Sequence, residues 1–370
     1  MKRLLVLWLT LICFVLGGCG QLIPAPTTTQ VEMPDTDCIE YVDIRYQIQQ
    51  LPKKEFIDFC AMYESIMAFE TVCDLPYPVV EGYADRLVRL LQYECPELIQ
   101  LDFTETIYYT MENDRVTKVE LPFCMDQEEY EEKMEACQEA ATEILVMAEE
   151  ADDPELAIYD YITENCTYDA DHPDAATIYG CLVQGYAKCD GISLSYKWLL
   201  EQMGRTCLCI AGDPYGGGIG HAWNVVEVDG EFYDVDVTAD VDKADQQTAT
   251  LYPAYHVSRY WIRDRYHLDF NLSWAMLPGS EHMDASYHAL AGNFVDQNET
   301  ADWEQLFLDA YQNEGSFFLQ FADEDAYTEF VDNLKTNVET IAKNNQLNGW
   351  KYDCEMQDTY HIIRITVGKP

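Results

Sequence analysis

Basic residues are scarce in this chain: 22 lysines and arginines stand against 67 aspartates and glutamates, a formal charge of -45 over 370 residues. A surface of that sign repels phosphate backbones and excludes nucleic acid as a partner. After the first twenty residues there is also no apolar run of the roughly 20 residues that a membrane-spanning helix needs. Internal repeats are absent. So is a phosphate-binding loop, since the glycine-rich run at 216–220 leads into a strand pattern, not a helix. Cysteine is plentiful, at fourteen, but not in paired metal-binding spacing: Cys207-x-Cys209 with His221 is a poor zinc set and reads better as one face of a core strand. Cys60 and Cys137 fall on apolar helix faces, and buried thiols behave as small hydrophobes. Few disulfides are expected.

What is present begins with MKRLLVLWLTLICFVLGGCG. A basic start, an apolar stretch from Leu4 to Leu16 and then Leu16-Gly17-Gly18-Cys19 form an export signal of lipoprotein type. It implies that Cys19 becomes the lipidated first residue of the mature chain, which would then be tethered to a membrane outside the cytoplasm. Residues 20–36, rich in Pro and Thr, read as the tether.

The remainder, with 48% hydrophobic residues, can bury a large core. Residues 37–150 carry helical spacing from Pro52 to Gln92, a hairpin turned at Glu112-Asn113-Asp114 and a long acidic helix, QEEYEEKMEACQEAATEILVMAEEA. A new helix opens at Asp153-Pro154, with Asp153 as its cap. Residues 285–370 alternate helix and strand patterns as a small α+β module without an evident chemical cluster.

Residues 151–284 carry the candidate chemistry. In GHAWNVVEVDGEFYDVDVT (220–238), Asp229-Gly230 marks a two-residue hairpin turn. Counting back from the turn sets Val228 opposite Glu231, Val225 opposite Asp234 and Trp223 opposite Asp236. Alternation then places His221, Trp223, Asp234, Asp236 and Thr238 on one face, with Asp236 diagonal to His221. Asp234 lies a step farther away, and Asp240 lies past the strand end. Asp236 is therefore the carboxylate expected to orient the imidazole, as a hairpin-surface group whose loss the fold should survive, with Asp234 and Asp240 dispensable for chemistry. Upstream, YGCLVQGYAKCDGISLSYKWLLEQMG places Cys189 at a helix start. There the macrodipole and unpaired N–H groups favour thiolate and can hold an oxyanion. Cys181, with no helix start after it, is the weaker nucleophile.

Cys189, the HAWN tetrad at 221–224 and the YDVDVT segment containing Asp236 resemble the transglutaminase-like superfamily. Weaker matches at AIYDYITENCTYD (157–169), TIYGCLVQG (177–185) and YHVSRYWIRDRYHLDF (255–270) extend the resemblance over roughly residues 150–285. ECPELIQLD (94–102) and the acidic helix look like the N-terminal region of exported bacterial members. The resemblance implies an α+β, papain-like fold and a Cys189-His221-Asp236 triad. Such a triad acts on peptide or glutamine-type amides through a thioester, without a cofactor or metal. Hydrolysis, as a peptidase or amidase at the cell envelope, is the leading expectation. Amine transfer and a non-catalytic peptide-binding lipoprotein remain alternatives. Two departures from the family pattern stand near the cleft: Asp190-Gly191-Ile192-Ser193 replaces a Gly-Tyr-Ala run, and Ala239 stands where a Trp is common.

Overall fold

The computed structural model describes residues 43–214, 220–241, 251–263, 266–268, 277–296 and 301–369. The leader, Cys19, the tether and residues 216–219 lie outside them. Residues 36–370 make one compact unit.

Its first layer is built from helices Lys53–Met67 and Glu81–Glu94, which bury Phe56, Phe59, Met62, Ile66, Leu87 and Leu91 against a three-stranded sheet. The turn at Asn113-Asp114 has positive φ at both residues, 50° and 60°, as a tight hairpin demands. One strand of this sheet, Val72–Val79, falls between the two expected helices and carries no sequence signal of its own. Pro76 and Pro78 break its pattern. They are tolerated because the strand is at the sheet edge, where its pairing with Arg115–Glu120 is interrupted between Asp74 and Val79.

The acidic helix, Gln127–Glu149, buries Tyr130, Cys137, Ala141, Ile144 and Ala148 along one stripe. The next, Pro154–Asn165, begins as expected: the Asp153 carboxylate accepts from the Glu155 and Leu156 amides, both at 3.2 Å.

At the centre, helix Cys189–Gln202 packs on a four-stranded antiparallel sheet ordered Glu231–Val235, His221–Val228, Cys207–Pro214, Tyr266–Leu268. This is the α+β arrangement expected from the sequence. Both sheet faces are covered. Cys207, Cys209, Ala222 and Val226 face the helix side, while Leu208, Ile210, Trp223 and Val225 pack with Ala254, Val257, Trp261 and Tyr360 on the other. The helix itself is buried nearly all round, including Lys197 and Glu201. A helix with polar groups buried on its outer side needs internal partners, and the N-terminal layer supplies them. Lys197 pairs with Glu94 (3.3 Å) and Glu201 (2.7 Å), and Arg45 bridges Glu97 (3.0 Å) and Glu201 (3.1 Å).

The C-terminal region forms a second four-stranded sheet, ordered Phe294–Val295, Ser316–Phe321, Ile362–Gly368, Lys351–Gln357, covered by helices Trp303–Asn313 and Glu324–Asn344.

Candidate active site

The hairpin register is the one counted from Asp229-Gly230. Val228 pairs with Glu231, Val225 with Asp234 and Asn224 with Val235; φ is 53° at Asp229 and 87° at Gly230. The ladder stops one step earlier than the sequence suggests, however. Strand Glu231–Val235 ends before Asp236, whose amide bonds the Ala254 carbonyl at 2.8 Å, and Val237–Ala239 forms a 3₁₀ turn. Asp236 and Thr238 are therefore not strand residues. Asp236 nevertheless reaches the expected partner: His221 Nε2 lies 2.9 Å from Asp236 Oδ2. An ionised carboxylate only accepts, so Nε2 carries the proton and Nδ1 becomes the basic nitrogen. The imidazole also stacks on Trp223, with ring centroids 6.0 Å apart.

The three carboxylates are not surface groups, which for Asp236 is contrary to expectation. Asp234, Asp236 and Asp240 are 0%, 1% and 3% exposed, and each has its own partners. Asp234 accepts from Trp223 Nε1 (2.8 Å) and pairs with Arg259 Nε (2.7 Å). Asp240 accepts from the Leu251 and Tyr252 amides (2.8 and 2.7 Å) and from the Tyr159 hydroxyl (2.8 Å). Burial lifts the Asp240 carboxyl to about 6 in spite of these donors. Only Asp236 meets the histidine. The three aspartates thus have three jobs: seating Trp223, orienting His221 and anchoring the chain at Leu251.

Cys189 is the first residue of its helix, and the preceding Lys188 supplies no side-chain cap. Ile192 is the first residue whose amide closes a helical bond, to the Lys188 carbonyl. The Cys189, Asp190 and Gly191 amides belong to the first turn, where no intrahelical acceptor exists. Lys188 pairs with Asp190 at 3.1 Å, so its charge is not spent on the thiol alone.

The helix is docked beside His221 through polar contacts one turn along the face that carries Cys189. The Ser193 hydroxyl donates to the Ala222 carbonyl at 3.1 Å, and Asn224 Nδ2 donates to the Ser193 carbonyl at 2.9 Å. The last residue of HAWN is thereby explained as a buried clamp. Gly191, part of the departure from the family pattern, is also required by contact. A Cβ there would lie 2.3 Å from the Ala175 carbonyl oxygen, and that carbonyl accepts from the Lys188 amide at 2.9 Å.

Tyr168 lies within electrostatic reach of both Cys189 and Asp236. Burial pushes its phenol above the ordinary range, and the charges of Cys189, Asp190 and Asp236 add to the push. Tyr93, from the N-terminal layer, is likewise raised by burial and by Asp190 and Cys189 among its neighbours. From the sequence Tyr168 resembles a family position near the cleft but reads, as a single aromatic, as core packing; Tyr93 carries no such mark. A cavity of about 240 Å³ opens against Lys188 and Asp190, walled by segments 95–104 and 170–177.

The rival thiols are placed elsewhere. Cys181 is buried in a π-turn, Gly180–Gln184, beside Cys166, whose thiol pKa its proximity and burial raise. Cys207 and Cys209 are buried in the core under the helix, and their strand partners are Val226 and Asn224, not His221, which pairs with Gly212. Among the described residues, no group of three His, Cys, Asp or Glu side chains could hold a metal ion, and the cysteines from Cys60 to Cys354 are free thiols.

No protein-family model matches the chain, and no curated protein does. Solved structures do. The crystal structure of a TGase is similar with a TM-score of 0.28 and 14% identity, over 39% of this chain and 46% of that one. A protein from Cytophaga hutchinsonii described as a "putative cysteine protease" is similar with a TM-score of 0.25 and 13% identity, over 37% of this chain and 62% of that one. This chain spans less than two thirds of either, and the chemistry of the site is read from its own geometry.

Proposed function

We propose that Cys189, His221 and Asp236 form a thiol triad that cleaves peptide or glutamine-type amides. The observation that carries this is the 2.9 Å bond from His221 to a carboxylate with 1% exposure, next to the strand position where the Cys189 helix is clamped. Cys189 Sγ gives its proton to His221 Nδ1 and attacks the amide carbon. The charge developing on the carbonyl oxygen is met by first-turn amides of the helix, and the imidazolium is stabilised by Asp236. The imidazolium then protonates the departing amine, leaving a thioester. Water, deprotonated by His221, attacks that thioester, and the product acid leaves as the thiol is restored. An amine in place of water would give a crosslinked amide.

The cavity against Lys188 and Asp190 is a suitable place for a peptide side chain or backbone. Leu16-Gly-Gly-Cys19 supports an anchored location at the cell envelope, with Cys19 as the lipid site; replacing Cys19 with Ala should release the protein from membranes. The activity itself is tested by incubating the protein with a peptide library, with and without added amines, and weighing the products. Cleaved peptides that vanish in Cys189→Ala are expected. A library left intact by wild type, with stoichiometric peptide retention, would favour a binding protein instead.

A further inference from the structure

Asp236 has a second donor besides the histidine. Its Oδ2 receives, besides His221, the hydroxyl of Tyr360 at 3.2 Å. Tyr360 lies 124 residues downstream, in a one-turn 3₁₀ segment, Asp358–Tyr360, between the last two strands of the C-terminal sheet. It is 6% exposed and belongs to the apolar cluster on the far face of the catalytic sheet.

Taking the triad reading as its basis, we infer that Tyr360 is a positioning residue of the active site, and that the C-terminal module exists in part to deliver it. A carboxylate in a dry site needs its lone pairs occupied to stay ionised and fixed in one rotamer. Asp236 is short of partners, because its Oδ1 is buried with none. Oδ2 therefore carries both bonds, and Tyr360 is the only protein donor on it other than the histidine among the described contacts. Other charges nearby work against ionisation, since Asp234 and Asp240 are carboxylates themselves and each is raised in part by Asp236. Tyr159 and Tyr168 bear on Asp236 electrostatically without a bond recorded to it.

The turn that presents Tyr360 is itself held. Tyr327 donates to Asp358 at 2.7 Å, the Phe321 amide bonds the His361 carbonyl at 3.0 Å, and Gln320 Nε2, fully buried, reaches back to the Pro253 carbonyl at 2.9 Å. Gln320 and Tyr360 thus tie the module to the segment that also receives the Asp236 amide, at Ala254.

The test is the pH dependence of Cys189 alkylation by iodoacetamide in the full protein, measured for wild type, His221→Ala, Tyr360→Phe and Tyr327→Phe. Phenylalanine keeps the ring in its apolar cluster and removes only the hydroxyl. Tyr360→Phe should melt close to wild type, alkylate Cys189 at least tenfold more slowly at pH 6, and show its acid limb moved to higher pH, because a carboxylate held by one donor fewer orients and stabilises the imidazolium less well. A wild-type profile in Tyr360→Phe, beside a crippled His221→Ala, would overturn the role of Tyr360 and leave the triad standing. Tyr327→Phe, which only loosens the turn that presents the hydroxyl, should show a smaller loss of the same kind; a loss in Tyr327→Phe larger than in Tyr360→Phe would also overturn the role of Tyr360. If His221→Ala behaves as wild type, the triad fails first and Tyr360 has nothing to position.

Discussion

Replacing Gly191 with Ala should damage this protein where the same change elsewhere would help it. In an ordinary helix the exchange gains up to about 1 kcal/mol. Here the new Cβ would stand 2.3 Å from the Ala175 oxygen and 3.0 and 3.1 Å from Thr177 O and N, all backbone atoms. Reaching even 3.0 Å from Ala175 requires the helix start and the 175–177 segment to separate by 0.7 Å (3.0 less 2.3). That would stretch the 2.9 Å Lys188–Ala175 bond past useful length. Overpacking of this kind costs about 1–3 kcal/mol, and displacing a reacting group by about 1 Å can cost on the order of 100-fold in rate. Gly82, inside helix Glu81–Glu94, meets nothing within 4 Å, so Gly82→Ala is the matched control. Urea melts and Cys189 alkylation rates for the two variants are the assay: Gly82→Ala should be at least as stable as wild type, Gly191→Ala less stable and slower to alkylate. Equal stability and reactivity in the two would refute the close approach.

Asp240 and His288 should leave opposite signatures in stability against pH. Burial lifts Asp240 from 3.8 to about 6, so the native state binds that proton more tightly than the unfolded chain and gains stability as pH falls from about 6 to about 4. Burial lowers His288 from 6.5 to about 4, and the native state loses stability over the same descent. In thermal melts from pH 7 to 4.5, the deficit of Asp240→Asn relative to wild type should widen and that of His288→Gln should narrow, each by about 2 kcal/mol; parallel curves would contradict both. Lys197→Met removes one of two cations set among Glu94, Glu97 and Glu201, and should cost roughly 3–5 kcal/mol in denaturant titrations. Asp236→Asn should lower turnover by orders of magnitude, by analogy with the roughly 10⁴-fold loss in a serine-protease triad. Asp234→Asn should instead show as lower stability through Trp223 and Arg259, and a catalytically dead Asp234 variant beside a healthy Asp236 variant would sink the assignment.

The parts of the site that were legible in the sequence are those fixed by local rules. Asp229-Gly230 dictates its own turn, and a turn dictates register, so the pairing of His221 with Asp236 could be counted. The helix start at Cys189 could be read from the glycine-bearing turn before it and the apolar spacing after it. What could not be read depends on distant segments. The burial of Asp234, Asp236 and Asp240 is set by residues 251–263 folding over the hairpin, and alternation alone made Asp236 look like a surface group. Strand Val72–Val79 forms because Arg115–Glu120 offers it a partner, which its two prolines disguise. Tyr360 sits at a strand boundary in a segment without chemical pattern, and no local feature ties it to a carboxylate 124 positions earlier.

The most direct test compares two thiols in one molecule. Cys124 is exposed, heads no helix and has its thiol pKa raised by partial burial and by Asp102; its alkylation by iodoacetamide should fall about tenfold per unit as pH drops from 8 to 5. Cys189, served by His221, should keep most of its rate to pH 6, read by peptide mass mapping of the same digests, and should lose that advantage in His221→Ala. Should the Cys189 rate run parallel to that of Cys124 in wild type, or stay unchanged when His221 is removed, Cys189 is not an activated nucleophile and the thiol-triad account is wrong.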